Sequence, residues 1–112
     1  MTLAEAKARL ERMTAATEDP VLNSADLDEL VLIARRSDSA GLLPGATGWV
    51  PTFDLNAGAA EGWRWKAGKV ATSYSSTSLA GEQGPDSFKY LNCIRQAEDY
   101  AARSYFPSDV IG

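Results

Sequence analysis

Residues 54–74, DLNAGAAEGWRWKAGKVATSY, decide the architecture of this chain. Leu55, Ala59, Trp63, Lys66, Val70 and Tyr74 recur at steps of four and three residues. At about 100° per residue they fall in a stripe roughly 100° wide, which predicts a helix with one core-facing side. Asp54 stands where an N-cap is needed, and Arg64, Lys66 and Lys69 gather toward the far end, as the helix dipole favours. Trp65 lies off the stripe, roughly 130° from its centre. Gly58 and Gly62 run along a neighbouring line. The helix thus carries a core face and a second adhesive face.

The flanking sequence supplies three more helices. Thr2 and Glu5 form a capping box for a first helix, with Leu3, Ala6, Leu10 and Met13 on one stripe, fading by Thr17. Glu18-Asp-Pro20 breaks it, because proline disfavours helical geometry in the residue before it. Asn23 or Ser24 caps a second helix that has Asp26, Asp28 and Glu29 in its first turns and Arg35 and Arg36 in its last. Leu27, Leu30, Val31 and Ala34 share a face, and Leu32 and Ile33 extend the apolar surface, so this helix is expected to be buried on more than one side. Asp86 caps a fourth helix running to about Ser104, with Tyr90, Cys93, Ile94, Ala97 and Ala101 on its stripe and Tyr100 at the margin.

Two connections stand out. Residues 37–52 hold Gly41, Pro44, Gly45, Gly48 and Pro51, which exclude a regular helix, yet also Leu42, Leu43, Trp49 and Val50. Such an apolar loop is either tucked against the body or pressed onto a partner. The stretch from Tyr74 to Leu79, before Gly81 and Gly84-Pro85, reads as a short hairpin or an ordered loop. The expected fold is mainly α: a small irregular four-helix bundle, with a long apolar loop after the second helix and a short extended C-terminal tail. Residues 1–104 form the helical domain and 105–112 a C-terminal extension.

Composition bounds the chemistry. The chain has 112 residues, 45% of them apolar and 23% charged, the balance of one globular domain. It has no continuous apolar run long enough to span a membrane, and its first residues lack the apolar core of a secretory signal. There is no histidine, which removes the commonest general base, metal ligand and partner of a nucleophilic serine or cysteine. The single cysteine, Cys93, permits neither an internal disulfide nor a cysteine-ligated metal site within one chain, and reads as an inert buried thiol. The net charge of −4 argues against a general nucleic-acid binder.

No motif restores an activity. Asp26, Asp28 and Glu29, and the pair Glu98-Asp99, read as solvated helix ends, and no spacing matches an EF-hand loop. Gly41-Leu-Leu-Pro-Gly45 lacks the Gly-Lys-Ser/Thr ending of a phosphate loop. No catalytic residue, cofactor or metal ligand is expected. The Gly58/Gly62 spacing costs about 1 kcal/mol of helix propensity per glycine, so a ring or backbone should pack into that groove, from within the chain or from another subunit. Trp65 either folds under the 37–52 loop or meets another subunit, where aromatics are enriched.

The combination resembles the head-to-tail adaptor proteins of long-tailed bacteriophages, also called head completion or connector proteins. The resemblance covers about residues 1–104. It rests on a short helix pair with an acidic second helix (Ser24-Ala-Asp-Leu-Asp-Glu-Leu30), a Trp- and Pro-containing loop, and the run Asp54-Leu-Asn-Ala-Gly-Ala-Ala-Glu-Gly-Trp-Arg-Trp-Lys-Ala-Gly-Lys69, followed by a variable Ser/Gly stretch and a last helix. It implies a virion neck protein, made in the host cytoplasm. Such proteins form a ring, usually of twelve copies, between the portal protein and the stopper or tail, and extend the channel through which double-stranded DNA passes without sequence-specific binding.

On that resemblance the subunit or partner interface is expected at Gly58, Gly62, Trp65, Trp49, Leu42 and Leu43. The C-terminal segment would anchor in the portal through Tyr105, Phe106, Val110 and Ile111. The physical requirement fits, because a ring needs two different faces on each subunit. The alternative reading is a small helical nucleic-acid-binding regulator, with Arg64, Lys66 and Lys69 as its contacts, or another interaction module.

Overall fold

The structure is a computed structural model and describes residues 1–72 and 85–104. Four helices are packed compactly: α1 (Leu3–Met13), α2 (Ser24–Ala34), α3 (Leu55–Thr72) and α4 (Pro85–Arg103). No strand occurs among the described residues; a lone antiparallel bridge pairs Arg35 with Phe53. No helix among them is long and apolar enough to cross a membrane. The expected hairpin or loop around Tyr74 to Leu79 and the extended tail lie outside the described residues, as does Tyr74 of the α3 stripe.

Local chemistry sets the helix ends. Thr2 and Glu5 form the expected capping box on α1, and Asn23, rather than Ser24, caps α2 with Asp26 as its reciprocal partner. Asp54 caps α3: its Oδ1 accepts the Ala57 N–H at 3.2 Å and its backbone carbonyl accepts the Gly58 N–H. Arg35 and Arg36 lie just past the end of α2 rather than inside it. They still serve its carbonyl end, since Arg35 Nε donates to the Leu32 carbonyl and Arg36 donates to that of Ile33. α4 begins at Pro85, whose missing N–H suits a first helical position, so Asp86 lies inside the helix instead of capping it.

α3 is the hub. It packs against α1, α2 and α4, whereas α4 meets no other helix. Two apolar clusters flank it. The larger joins Ala6 and Leu10 of α1, Leu27, Leu30, Val31 and Ala34 of α2, and Phe53 and Ala59. The smaller joins Trp63 and Ala67 to Cys93 and Ala97 of α4, with Tyr90, Ile94 and Tyr100 at its margin. The expected stripe of α3 is confirmed at Ala59, Trp63, Lys66 and Val70, all buried, and Leu55 is half-buried.

Four residues expected to be buried are exposed. Leu3 overhangs the end of α1, Ala101 lies on the solvent side of α4, and Leu32 and Ile33 face outward at 52% and 43% exposure. α2 is therefore buried on one side only, because α1 and α3 flank a single face of it.

The glycine line of α3 sits at the closest helix approach. A β-carbon on Gly58 would stand 3.1 Å from both Ala34 Cβ and Leu10 Cδ2. One on Gly62 would stand 2.7 Å from Thr14 Cγ2 and 2.9 Å from Leu30 Cδ1. Thr14 has no freedom to yield, since it is fully buried and its hydroxyl donates to the Leu10 carbonyl at 2.7 Å. Gly68, in the same helix, has nothing within 4 Å. Gly68→Ala is therefore expected to stabilise the chain by about 1 kcal/mol through helix propensity. Gly62→Ala should destabilise it by about 1–2 kcal/mol, because overpacking outweighs that same gain. Urea denaturation of the two variants measures the contrast.

Candidate interaction surface

The 37–52 loop is built around one carboxylate. Asp38 is buried to 8% exposure and its Oδ1 accepts the N–H groups of Ala40 at 3.0 Å and Leu42 at 2.8 Å, while Oδ2 accepts that of Val50 at 2.9 Å. The Val50 bond, with those of Leu42 and Ala40, lowers the Asp38 pKa below the ordinary carboxylate value, against the opposing effect of burial. Gly41, Gly45 and Gly48 take positive φ values of 82°, 90° and 87°, which permit the reversals around it.

Trp49 pins the loop to the body. Its Nε1 donates to the Arg36 carbonyl at 2.9 Å, and its ring meets Phe53 edge-on at 6.2 Å. Leu42 is half-buried, but Leu43 and Val50 point outward at 65% and 59% exposure. The two occupants open to this loop are thus divided between its residues: Trp49 is tucked in, whereas Leu43 and Val50 are presented to solvent.

Asp54 joins three helix ends beside this loop. Its N–H donates to the Ala34 carbonyl at 2.8 Å, Ser104 Oγ donates to its Oδ2, and Arg36 approaches it at 4.0 Å. Asn56 Nδ2 adds a bond to the Arg103 carbonyl. The C-terminal ends of α2 and α4, the start of α3 and the loop therefore share one end of the bundle. Along the outside of α1 and α2 runs a shallow groove of about 300 Å³ lined by Leu3, Ala4, Val31 and Leu32, with the Lys7–Asp28 ion pair (2.8 Å) on its rim.

The remaining expected interface residues sit elsewhere. Gly58 and Gly62 are buried against α1 and α2 of the same chain, which corrects their placement on a subunit interface: the groove is filled internally, where helix α3 approaches its neighbours most closely. Trp65 is half-buried against the larger apolar cluster, and its Nε1 donates to Glu61 Oε2 at 3.0 Å. Tyr105, Phe106, Val110 and Ile111 lie outside the described residues.

The three basic residues offered as nucleic-acid contacts do not form one surface. Arg64 pairs with Glu61 at 3.0 Å, Lys69 pairs with Asp26 at 3.3 Å, and Lys66 is sealed at 1% exposure. Lys66 Nζ donates to the carbonyls of Thr14 and Ala15, both at 2.7 Å, and stands 4.4 Å from the Trp63 ring centroid. Trp63 Nε1 takes the Met13 carbonyl at 3.1 Å. No group of three His, Cys, Asp or Glu side chains among the described residues is placed to hold a metal ion.

Asp38, Leu32 and Ile33 are the surface-defining residues that sequence reasoning missed or misplaced. Asp38 carried a signal: Asp-Ser-Ala-Gly is the composition of an Asx turn, in which the side chain accepts the N–H two residues on. Comparison with protein-family models, with curated proteins and with solved structures found no match to this chain.

Two pH responses follow from these sites. Because Asp38 has a lowered pKa in the fold, its contribution to stability is present above the unfolded value and is lost as pH falls through the folded one. Acid is expected to loosen the loop before the bundle, read as a change in Trp49 emission while helical circular dichroism persists; Asp38→Asn should bring that change to neutral pH.

At alkaline pH two buried groups oppose one another. Burial lowers the Lys66 pKa despite the opposing charges of Cys93, Glu18 and Asp19, so between the lowered and ordinary lysine values the unfolded chain binds more protons and stability rises with pH. Burial raises the Cys93 thiol, whose contribution is present below the ordinary thiol value and is lost as pH rises through the raised one. Urea midpoints across alkaline pH should lose the rise in Lys66→Met and lose the fall in Cys93→Ala.

Proposed function

We propose that this chain is a structural virion protein, a head-to-tail adaptor that forms a ring between the portal and the stopper or tail and extends the DNA channel. The observation that carries the reading is the apolar end of the bundle. Leu32, Ile33, Leu43 and Val50 are each more than 40% exposed, on helix ends and a loop that internal hydrogen bonds hold in shape. Scattered exposed leucines need no explanation, but a built loop that presents Leu43 and Val50 at the end of the bundle where α2 exposes Leu32 and Ile33 is what a docking surface requires.

The resemblance stated for residues 1–104 supplies the partner class. The described chain ends at Ser104, which is tied to Asp54 at this same end, and the residues next in sequence, among them Tyr105, Phe106, Val110 and Ile111, have the apolar composition of a portal anchor. The net charge of −4 suits a conduit that must let DNA slide, since phosphates are not held by an acidic lining. On this reading the protein transforms no molecule, and its partners are the portal protein, a neck protein and further copies of itself.

Co-expression with the portal protein of the same genome tests the proposal. A portal-bound ring of this chain, seen by electron microscopy, is the expected result. Leu43→Asp with Val50→Asp, and separately deletion of residues 105–112, should each reduce portal capture while leaving the helical spectrum unchanged. A chain that stays monomeric and free in the presence of that portal overturns the reading, as does selective binding of a duplex sequence.

A further inference from the structure

We infer that two copies of this chain pair through the outer face of α4, antiparallel about a two-fold axis that passes beside residues 96 and 97. Among the helices α4 contacts α3 alone, and it buries Cys93 and Ala97 on that side. Its opposite side carries Phe88, Leu91, Arg95, Glu98 and Ala102, all exposed, with Phe88 and Leu91 more than half so. These residues recur at steps of three and four, the spacing with which two helices meet along a common seam. The seam covers roughly 21 Å of helix at about 1.5 Å per residue.

Charge identifies the occupant. Arg95 and Glu98 lie one turn apart on this face, and neither joins an ion pair among the described residues. A parallel second copy would set Arg95 against Arg95 and Glu98 against Glu98, and like charges across a contact repel. An antiparallel copy sets Arg95 of each chain against Glu98 of the other, so one two-fold axis completes both pairs. The charged centre weakens the seam relative to an apolar one but fixes its register.

Size selects the same orientation. The large side chains, Phe88 and Leu91, stand in the first half of the seam, and the small ones, Ala101 and Ala102, are exposed in its last turn. The antiparallel register lays each Leu91 level with Ala102 of the other chain and each Phe88 toward its Ala101-Ala102 turn, large against small, as close packing requires. A parallel copy would crowd Phe88 on Phe88 and leave the alanines facing across a gap. Opposed helix dipoles favour the antiparallel pair as well. A two-fold contact of this kind closes on two chains and cannot extend a ring, so it is a contact of the free chain and does not rest on the adaptor reading.

Sedimentation equilibrium of the full chain between about 10 μM and about 1 mM tests the pairing. The expected result is a monomer–dimer equilibrium that Arg95→Glu or Glu98→Arg alone weakens about tenfold or more, and that the two substitutions together restore. Both positions are exposed, so the helical spectrum should be unchanged in all three variants. Orientation is read in a Cys93→Ala background: Leu91→Cys chains mixed with Ala102→Cys chains should oxidise to the mixed disulfide faster than either forms a disulfide with itself. A chain that stays monomeric across this range overturns the inference. So does a dimer indifferent to the single charge reversals, one that the double reversal fails to restore, or one in which Leu91→Cys links preferentially to itself. Each of these outcomes leaves portal capture untouched, so the two readings fail separately.

Discussion

The docking of α3 onto the C-terminal end of α1 is the constraint on which the remaining structure depends. A helix ends with carbonyls that have no partner within the helix, and the end carries partial negative charge. In this chain Ala15 N–H bonds back to Arg12 and Ala16 N–H to Glu11, with Ala15 in the left-handed region at φ 47°. That turn aims the next three carbonyls, of Met13, Thr14 and Ala15, away from α1. Trp63 takes the first and Lys66 the other two. A fully buried ammonium is costly unless its donors are used, and here two go to carbonyls while the indole face lies 4.4 Å away.

This docking fixes the positions of the other parts. With Trp63 and Lys66 held on α1, Gly62 is brought against Thr14 and Gly58 against Leu10, at distances that admit no β-carbon without movement. The same register sets α2 across the glycine line through Leu30 and Ala34. The far side of Trp63 is then left for Cys93 and Ala97 of α4. Lys89 of α4 closes the arrangement by pairing with Asp19 of the α1–α2 connection, at 2.6 Å. The surface ion pairs Lys7–Asp28 and Lys69–Asp26 add little individually and sit where the helices have already been placed by burial.

A consequence of this geometry is a division of the molecule into two ends. The end at the α1–α2 connection is occupied by the carbonyl docking. The other end collects the Asp54 junction, the loop organised by Asp38, and exposed Leu32, Ile33, Leu43 and Val50. Apolar groups are exposed at both ends, since Val21 in the α1–α2 connection and Phe88 and Leu91 of α4, on either side of the Lys89 that pairs with Asp19, also face solvent; what sets the Asp54 end apart is that a hydrogen-bonded loop presents them there.

The sequence by itself determined the four helices, the N-terminal caps of the first three and most of the buried positions, because capping and 3.6-residue periodicity are local properties. The capping box at Thr2, the α2 cap at Asn23 or Ser24, the cap at Asp54, and the buried stripes Leu27, Leu30, Val31, Ala34 and Ala59, Trp63, Lys66, Val70 were legible for that reason. The occupant of each face was decided only by tertiary structure. Periodicity marked Lys66 as core-facing but not that two carbonyls waited for it, since those belong to a helix end about fifty residues earlier in the chain. Spacing marked Gly58 and Gly62 as a site of close approach but left the neighbour open, and the fold supplied it from α1 and α2. Leu32 and Ile33 look as buried in sequence as Leu30 and Val31; they face solvent because α1 and α3 together cover a single side of α2, and which side of a helix finds neighbours is a property of the assembled chain.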